Sequence, residues 1–392
     1  VWKRDERFLS AILGGERLDL FSASDIFFHV IGFKELRRLA LVTVFAVFAS
    51  CATHKRVVNL DTLEFVATKT PSGYKVDCLD PRILFDEATK DYEEGLFFEA
   101  IRKFSLILER FKDDPLADFA LYNRGICYAK AERPLLAKQD FEEFLKKHKD
   151  DPDAIDASLW LGHVMCDLGE WEGAEKALRR ALEKKDLSLP MEIEARAYLA
   201  QTLKKQGRYT SVRKQVDMVF RLFSMNISQP EISQNYYVAM ACFIGASVWH
   251  DMFSRVRFYL PVERMEKDLQ DKASFFLKAQ SEYLRTIRVG NTYWGVKAGM
   301  ALGRLFEEFY EHIMQAEVPS DLTGEDLDVY LKELKKMTRP LLLQAMRVYE
   351  RNVAMARLNG AKEEWLDEAQ QRIERINTIL KEEASEQEGG RE

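Results

Sequence analysis

Residues 84–104 read LFDEATKDYEEGLFFEAIRKF, and their pattern returns three more times before residue 220. A small residue is followed twelve positions later by alanine (valine in the fourth copy), and four after that by a bulky apolar residue. The copies are Ala88, Ala100, Phe104; Gly125, Ala137, Phe141; Gly162, Ala174, Leu178; and Ala200, Val212, Val216. Successive first members stand 37, 37 and 38 residues apart, and self-similarity at such a period marks a stacked-repeat architecture. Two antiparallel helices approach closely only where small side chains face each other, which leaves the bulky residue to fill the space between neighbouring pairs. Each copy is therefore expected to be a helical hairpin.

The turn inside each hairpin is legible as well. Gly95, Gly169 and Gly207 fall seven positions after the first small residue, where a helix needs a left-handed terminator. An aromatic follows two residues later: Phe97, Trp171 and Tyr209. Copy two has Glu132 at the glycine position and Pro134 just beyond, which predicts a tighter or shifted turn. This set of positions resembles the tetratricopeptide repeat (TPR) family, with small residue, turn glycine, aromatic, alanine, aromatic and then a proline after the second helix, here Pro115 and Pro152. The spacing is longer than the usual unit of roughly 34 residues and is similar to that of TPR envelope lipoproteins of the BamD-like and YbgF-like kinds. The resemblance covers about a third of the chain.

A chain of 392 residues has room for two or three domains or one long array. Charged residues make up 31% and apolar ones 47%, a balance that predicts a mainly soluble, globular chain. The net charge of −6 offers no concentrated basic face for nucleic acid.

Ahead of the repeats, residues 1–29 show no repeat or cap pattern and read as a possible artefact of start-site assignment. Lys34, Arg37 and Arg38 then precede the apolar run Leu39 to Ala49, which ends in Ala49-Ser50-Cys51. A basic region, a short apolar core and small residues before a cut describe a secretory signal, so residues 30–50 are expected to be a signal peptide. Cysteine after Ala-Ser resembles a bacterial lipobox, although Phe48 stands where that family prefers Leu. The resemblance implies cleavage before Cys51, a lipid on its thiol and, with Ala52 following, attachment to the periplasmic face of the outer membrane. Residues 51–83 are then expected to be a lipidated linker, with β-formers from Leu63 to Lys69, a Pro71-Ser72-Gly73 turn cluster and alternation from Tyr74 to Cys78, together a β-hairpin signal.

Residues 84–222 hold the four regular hairpins, and the second half, 223–382, reads as the same array in disguise. Ala279 with Tyr283 and Ala345 with Tyr349 look like second helices, and Gly303 and Ala369 each follow 24 residues after the alanine. First helices are expected over Ser233–His250, Thr292–Met314 and Glu363–Leu380, with insertions around 258–271 and 318–322 as loops on one face. The last helix caps the stack with Trp365 inward, and residues 383–392 are expected to be a disordered tail. Residues 283–349 also look like TPR lipoproteins of gliding and predatory delta-class bacteria, which accompany motility or envelope machinery.

The chain shows little chemistry. None of the six histidines pairs at the i, i+4 spacing of a helical zinc site, and neither a phosphate-binding glycine loop nor a Gly-x-Ser-x-Gly elbow occurs. No catalytic residue, metal or cofactor is therefore expected. Cys127 and Cys166 lie on neighbouring first helices, where a disulfide or two buried thiols are both open. What the TPR resemblance implies is a groove, lined by Phe85, Thr89 and Tyr92; Tyr122, Ile126 and Lys130; Leu159, His163 and Asp167; and Gln201, Lys204 and Lys205. Aromatics at one end and mixed charge at the other suit a peptide or a partner helix.

The expected protein is an all-α TPR-type solenoid with a short N-terminal β-hairpin, a non-enzymatic scaffold that holds envelope proteins and sits on a lipid anchor. Its rivals are a BamD-like β-barrel assembly subunit and a cell-wall or polysaccharide enzyme with a C-terminal site.

Overall fold

A computed structural model describes residues 64–389 apart from 71–72, 150–153, 184–186, 233–234, 321 and 361–362. The segment 1–29, the expected signal at 30–50 and Cys51 lie outside the described residues. Strands β1 (Glu64–Thr70) and β2 (Gly73–Leu79) pair antiparallel, with Glu64 opposite Leu79 and Thr70 opposite Gly73.

From Pro81 on, the regular elements among the described residues are all helices. In chain order the helices are α1 (Pro81–Glu93), α2 (Phe97–Arg110), α3 (Leu116–Lys130), α4 (Pro134–Lys147), α5 (Ala154–Asp167), α6 (Trp171–Leu182) and α7 (Leu189–Lys205). They continue as α8 (Tyr209–Met225), α9 (Tyr236–Arg255), α10 (Val262–Arg288), α11 (Thr292–Met314), α12 (Glu325–Leu358) and α13 (Glu363–Gly389). Each helix packs on the next, and each first helix from α1 to α9 also touches the first helix of the following hairpin. This is a TPR-like solenoid, in which a hairpin buries its apolar faces against its neighbours.

The small residues do what their spacing requires, with one refinement. A Cβ on Gly125 would lie 2.9 Å from Phe141, one on Gly162 2.6 Å from Leu178, and one on Gly303 2.3 Å from Tyr349. The bulky residue thus sits on the small residue of its own hairpin and also reaches the next one, as Phe141 does against Trp160 at 6.3 Å. The same relation in Gly303 and Tyr349, 46 positions apart, identifies α11 and α12 as one hairpin of the array.

Four elements differ from expectation. The turn at Glu132 is neither tighter nor shifted: Glu132 adopts φ 58°, and Arg133 N–H donates to Tyr128 O at 2.9 Å. Leu96, Glu170 and Arg208 donate likewise to the carbonyl five residues back, at 2.8, 2.8 and 2.9 Å, so copy two keeps the common helix terminator with a non-glycine residue in it. The insertions are mostly helix. Second helices begin three residues before the repeat alanine in the regular copies, but α10 begins 17 before Ala279 and α12 begins 20 before Ala345, which leaves short connections at 256–261 and 315–324. The first helix of the fifth hairpin starts at Tyr236, where Asn235 Oδ1 accepts from the backbone N–H of Tyr237 and Val238 at 2.9 and 3.2 Å, and it runs past His250 to Arg255. The tail expected to be disordered from 383 is helical to Gly389, and buried Glu383 accepts a hydrogen bond from Tyr310 at 3.2 Å.

Candidate partner-binding face

A first helix in this stack is wedged between its own second helix and the next hairpin, so little of it meets solvent. In α5 ten of the fourteen residues are buried. That corrects four of the expected groove residues. Phe85, Ile126 and Leu159 are core, and Phe85 meets Phe104 edge-on at 5.4 Å. His163 is buried too, between Trp160 at 5.7 Å and Tyr198 at 3.7 Å. Thr89, Tyr92, Tyr122, Gln201 and Lys204 are half-buried, and Lys130, Asp167 and Lys205 are exposed. Lys204 pairs with Asp251 at 3.2 Å, and Lys205 lies over the Trp171 ring at 5.8 Å.

What the first helices do present is a line of rings that runs over α5, α7, α9, α11 and the capping helix α13. Trp160 of α5 stacks on Phe141 at 6.3 Å, and through His163 the line reaches Tyr198 of α7. Tyr198 meets Tyr237 of α9 at 5.9 Å, and its neighbour Tyr236 meets Tyr293 and Trp294 of α11 at 5.8 and 5.6 Å. Tyr293 then meets Trp365 of α13 at 5.2 Å. Tyr236 and Tyr293 are exposed, and Trp160, Tyr198, Tyr237, Trp294 and Trp365 are half-buried. Lys130 lies over Trp160 at 5.4 Å and Lys297 over Tyr293 at 4.4 Å. Burial, helped by the Glu194 carboxylate, raises the Tyr198 and Tyr237 phenols, which stay neutral donors. Burial, with Lys130 nearby, lowers His163 to about 3.

Sequence reasoning missed most of this line. Trp160 and Tyr198 each stand two positions before their repeat's small residue, and that shared phase was the available signal. Tyr236 continues that phase, 38 residues after Tyr198, whereas the rings at the N-terminal ends of α11 and α13 have no fixed phase to mark them.

A second cluster lies inside the stack where α9, α10 and α11 meet. Lys272, fully buried, donates to Phe253 O and Val256 O at 2.8 Å each and to His312 Nδ1. It thereby satisfies the carbonyls at the C-terminus of α9, where a cation is favoured. Burial lowers Lys272 to about 7 and His312 to about 4. Glu308 Oε2 joins His250 Nε2 at 3.2 Å and accepts from Ser254 at 2.7 Å, and His250 Nδ1 joins Tyr283 at 2.9 Å. Burial alone would raise Glu308, but the His250 and Ser254 hydrogen bonds hold it down at about 2.

Cys127, Cys166 and Cys242 are buried free thiols, and Cys166 Sγ lies 3.2 Å from the Thr202 hydroxyl. Burial pushes Cys127 up to about 12 and Cys166 to about 11, which makes both poor nucleophiles. Among the described residues no three or more His, Cys, Asp or Glu converge as a metal site, and no helix is long and apolar enough to cross a membrane. An open cleft of about 720 Å³ lies between α8 and α9, lined among others by Arg208, Arg213, Lys214, Trp249 and Met252.

No family model and no curated protein matches the chain. Solved structures with a similar helical-repeat fold include MamA, at 18% identity and TM-score 0.35 over 53% of this chain and 94% of that one. The apo form of RapI is similar at 10% identity and TM-score 0.45, over 78% of this chain and 100% of that one. The C-terminal part of a TPR repeat-containing protein from Cytophaga hutchinsonii is similar at 14% identity and TM-score 0.40, over 77% of this chain and 98% of that one. At these scores the likenesses carry no argument of their own, and the TPR-like architecture rests on the helix packing and turn geometry described above.

Proposed function

We propose that this chain is a non-enzymatic scaffold that holds a protein partner along the ring line from Trp160 to Trp365. The observation that carries the reading is the exposure of Tyr236 and Tyr293 in the middle of that line. Tyrosine and tryptophan present a large apolar area with a polar tip and few rotatable bonds, which suits them to anchor a peptide or helix. Lys297 beside Tyr293 adds a charged neighbour at the centre of the face.

The lipobox-like Cys51 and the long repeat spacing support a place in a bacterial envelope assembly of motility, secretion or outer-membrane biogenesis, with the chain lipid-anchored on the periplasmic face of the outer membrane. Intact-mass analysis of protein from native membranes, with and without Cys51→Ala, tests the anchor. A mature chain beginning at an acylated Cys51 supports it, and a chain that keeps residues 30–50 overturns it. Affinity recovery with the native chain and with Tyr236→Ala/Tyr293→Ala tests the face. A partner lost in the double variant supports the face, and an unchanged partner set overturns it. Recovery of a β-barrel assembly factor would favour the BamD-like role.

A further inference from the structure

The extra residues that lengthen α10 complete an apolar stripe that faces solvent. At 100° per residue, Val262, Leu269, Ala273, Leu277 and Leu284 fall within about a quarter of the helix circumference. The four larger side chains are 52%, 45%, 62% and 41% exposed. The core side of the same helix is different: Lys272, Phe276, Ala279, Tyr283 and Thr286 are buried there. A solvated second helix has no need of four exposed aliphatic residues on one flank, and α2, α4, α6 and α8 are 14, 14, 12 and 17 residues long against 27 in α10.

The stripe is palindromic. Leu269 and Leu277 stand four residues either side of Ala273, and Val262 and Leu284 stand eleven either side. Two copies of α10 laid antiparallel about a two-fold axis at Ala273 would place Leu269 against Leu277 and Val262 against Leu284, twice over. The smallest residue then falls where the two backbones must come closest. The charges have the matching polarity. Glu263 and Glu266 border the N-terminal end and Arg288 the C-terminal end, so each acidic end would lie along the partner's Arg288; Arg285 is turned away, paired with Glu282 at 2.9 Å and over the Phe220 ring at 4.3 Å. Self-complementarity of both kinds is the requirement of an isologous contact.

We propose that this face of α10 is a homodimer interface, whose occupant is α10 of a second copy in antiparallel register about Ala273. The contact spans about 33 Å of helix, a small patch, so exchange between monomer and dimer is expected at roughly micromolar concentration. Its charge borders make it weaker at high salt.

Sedimentation of the full chain over a concentration series tests the proposal, with helix content and melting temperature recorded for each variant. Leu269, Leu277 and Asp271 are exposed and the small Ala273 is half-buried, so folding should be little changed, and the melting temperatures report any variant in which it is not. The native chain should dimerise, and Leu277→Glu and Leu269→Lys should each shift the midpoint at least tenfold towards monomer. The double variant Leu269→Lys/Leu277→Glu should recover association, because residue 269 of one copy faces residue 277 of the other. Under oxidation Ala273→Cys should give a disulfide-linked dimer, and Asp271→Cys, on a different flank, should not. A native chain that stays monomeric at 100 times the micromolar range overturns the proposal. So does a dimer indifferent to Leu277→Glu, or an Ala273→Cys chain that links no better than Asp271→Cys.

Discussion

The rings of His163 and Tyr198 lie nearly face to face, 3.7 Å between centroids and 27° between planes, across the boundary from α5 to α7. The imidazole is buried there, with Nε2 3.6 Å from the Glu194 carboxylate, and burial lowers it to about 3. A histidine whose folded value lies below its unfolded value of about 6.5 takes up its proton only in the unfolded chain between those limits. Its contribution to stability is therefore complete above about pH 6.5 and falls as the pH drops towards 3, by about 2 kcal/mol at pH 5. His312, lowered to about 4, adds a fall of the same sign. Urea midpoints at pH 7 and pH 5 check this, and His163→Gln should narrow the difference between them.

Gly303 and Tyr349 are the tightest of the small-on-bulky pairs. Gly303→Ala is expected to cost about 3 kcal/mol, at the upper end for overpacking, read as a lower melting temperature. Adding Tyr349→Leu should recover part of the loss, despite removing the 2.7 Å bond from the phenol to Glu307.

Glu132 holds a positive φ of 58° where the other three regular turns have glycine. Glu132→Gly should therefore stabilise the chain by about 0.5–1 kcal/mol. Gly95→Ala and Gly207→Ala, at φ 79° and 74° with nothing near the added Cβ, should destabilise it by about 1 kcal/mol through the backbone alone. Thermal melts of the three variants decide the sign.

Lys272→Met would keep the apolar stem but leave the Phe253 and Val256 carbonyls without their shared donor. A loss of about 2–4 kcal/mol is expected. Amide exchange should rise first in the last turn of α9, which distinguishes a lost cap from a general loosening.

The regular hairpins were readable because their determinants are local. A glycine or its substitute ends a helix, and a small residue admits one partner sixteen positions on. The face was harder. Leu159 and Trp160 are adjacent in sequence but about 100° apart on the helix, and a period that slips between 37 and 38 does not resolve which of them meets solvent. Trp160, Tyr198 and Tyr236 keep a 38-residue step, but the next step, to Tyr293, is 57, and there the shared phase that could announce the line is lost. Residues 262–271 read as a loop because what ties their helix to the stack is a single buried lysine at their end, Lys272 capping α9. The C-terminal tail read as disordered because Tyr310, the donor to Glu383, lies 73 residues away.

Among the described residues the helices make their main contacts with partners one or two places along the chain, and that has a mechanical side. A pull applied between the two ends would be carried by the hairpin boundaries in series, each bearing the whole load, so the weakest joint would set the force at which the chain lengthens. The buried Glu307, which accepts from Tyr349 of α12 at 2.7 Å and from Arg372 of α13 at 2.9 Å, rivets three successive helices at the C-terminal end. Extension would then start elsewhere, and the last hairpin and its cap would come away together.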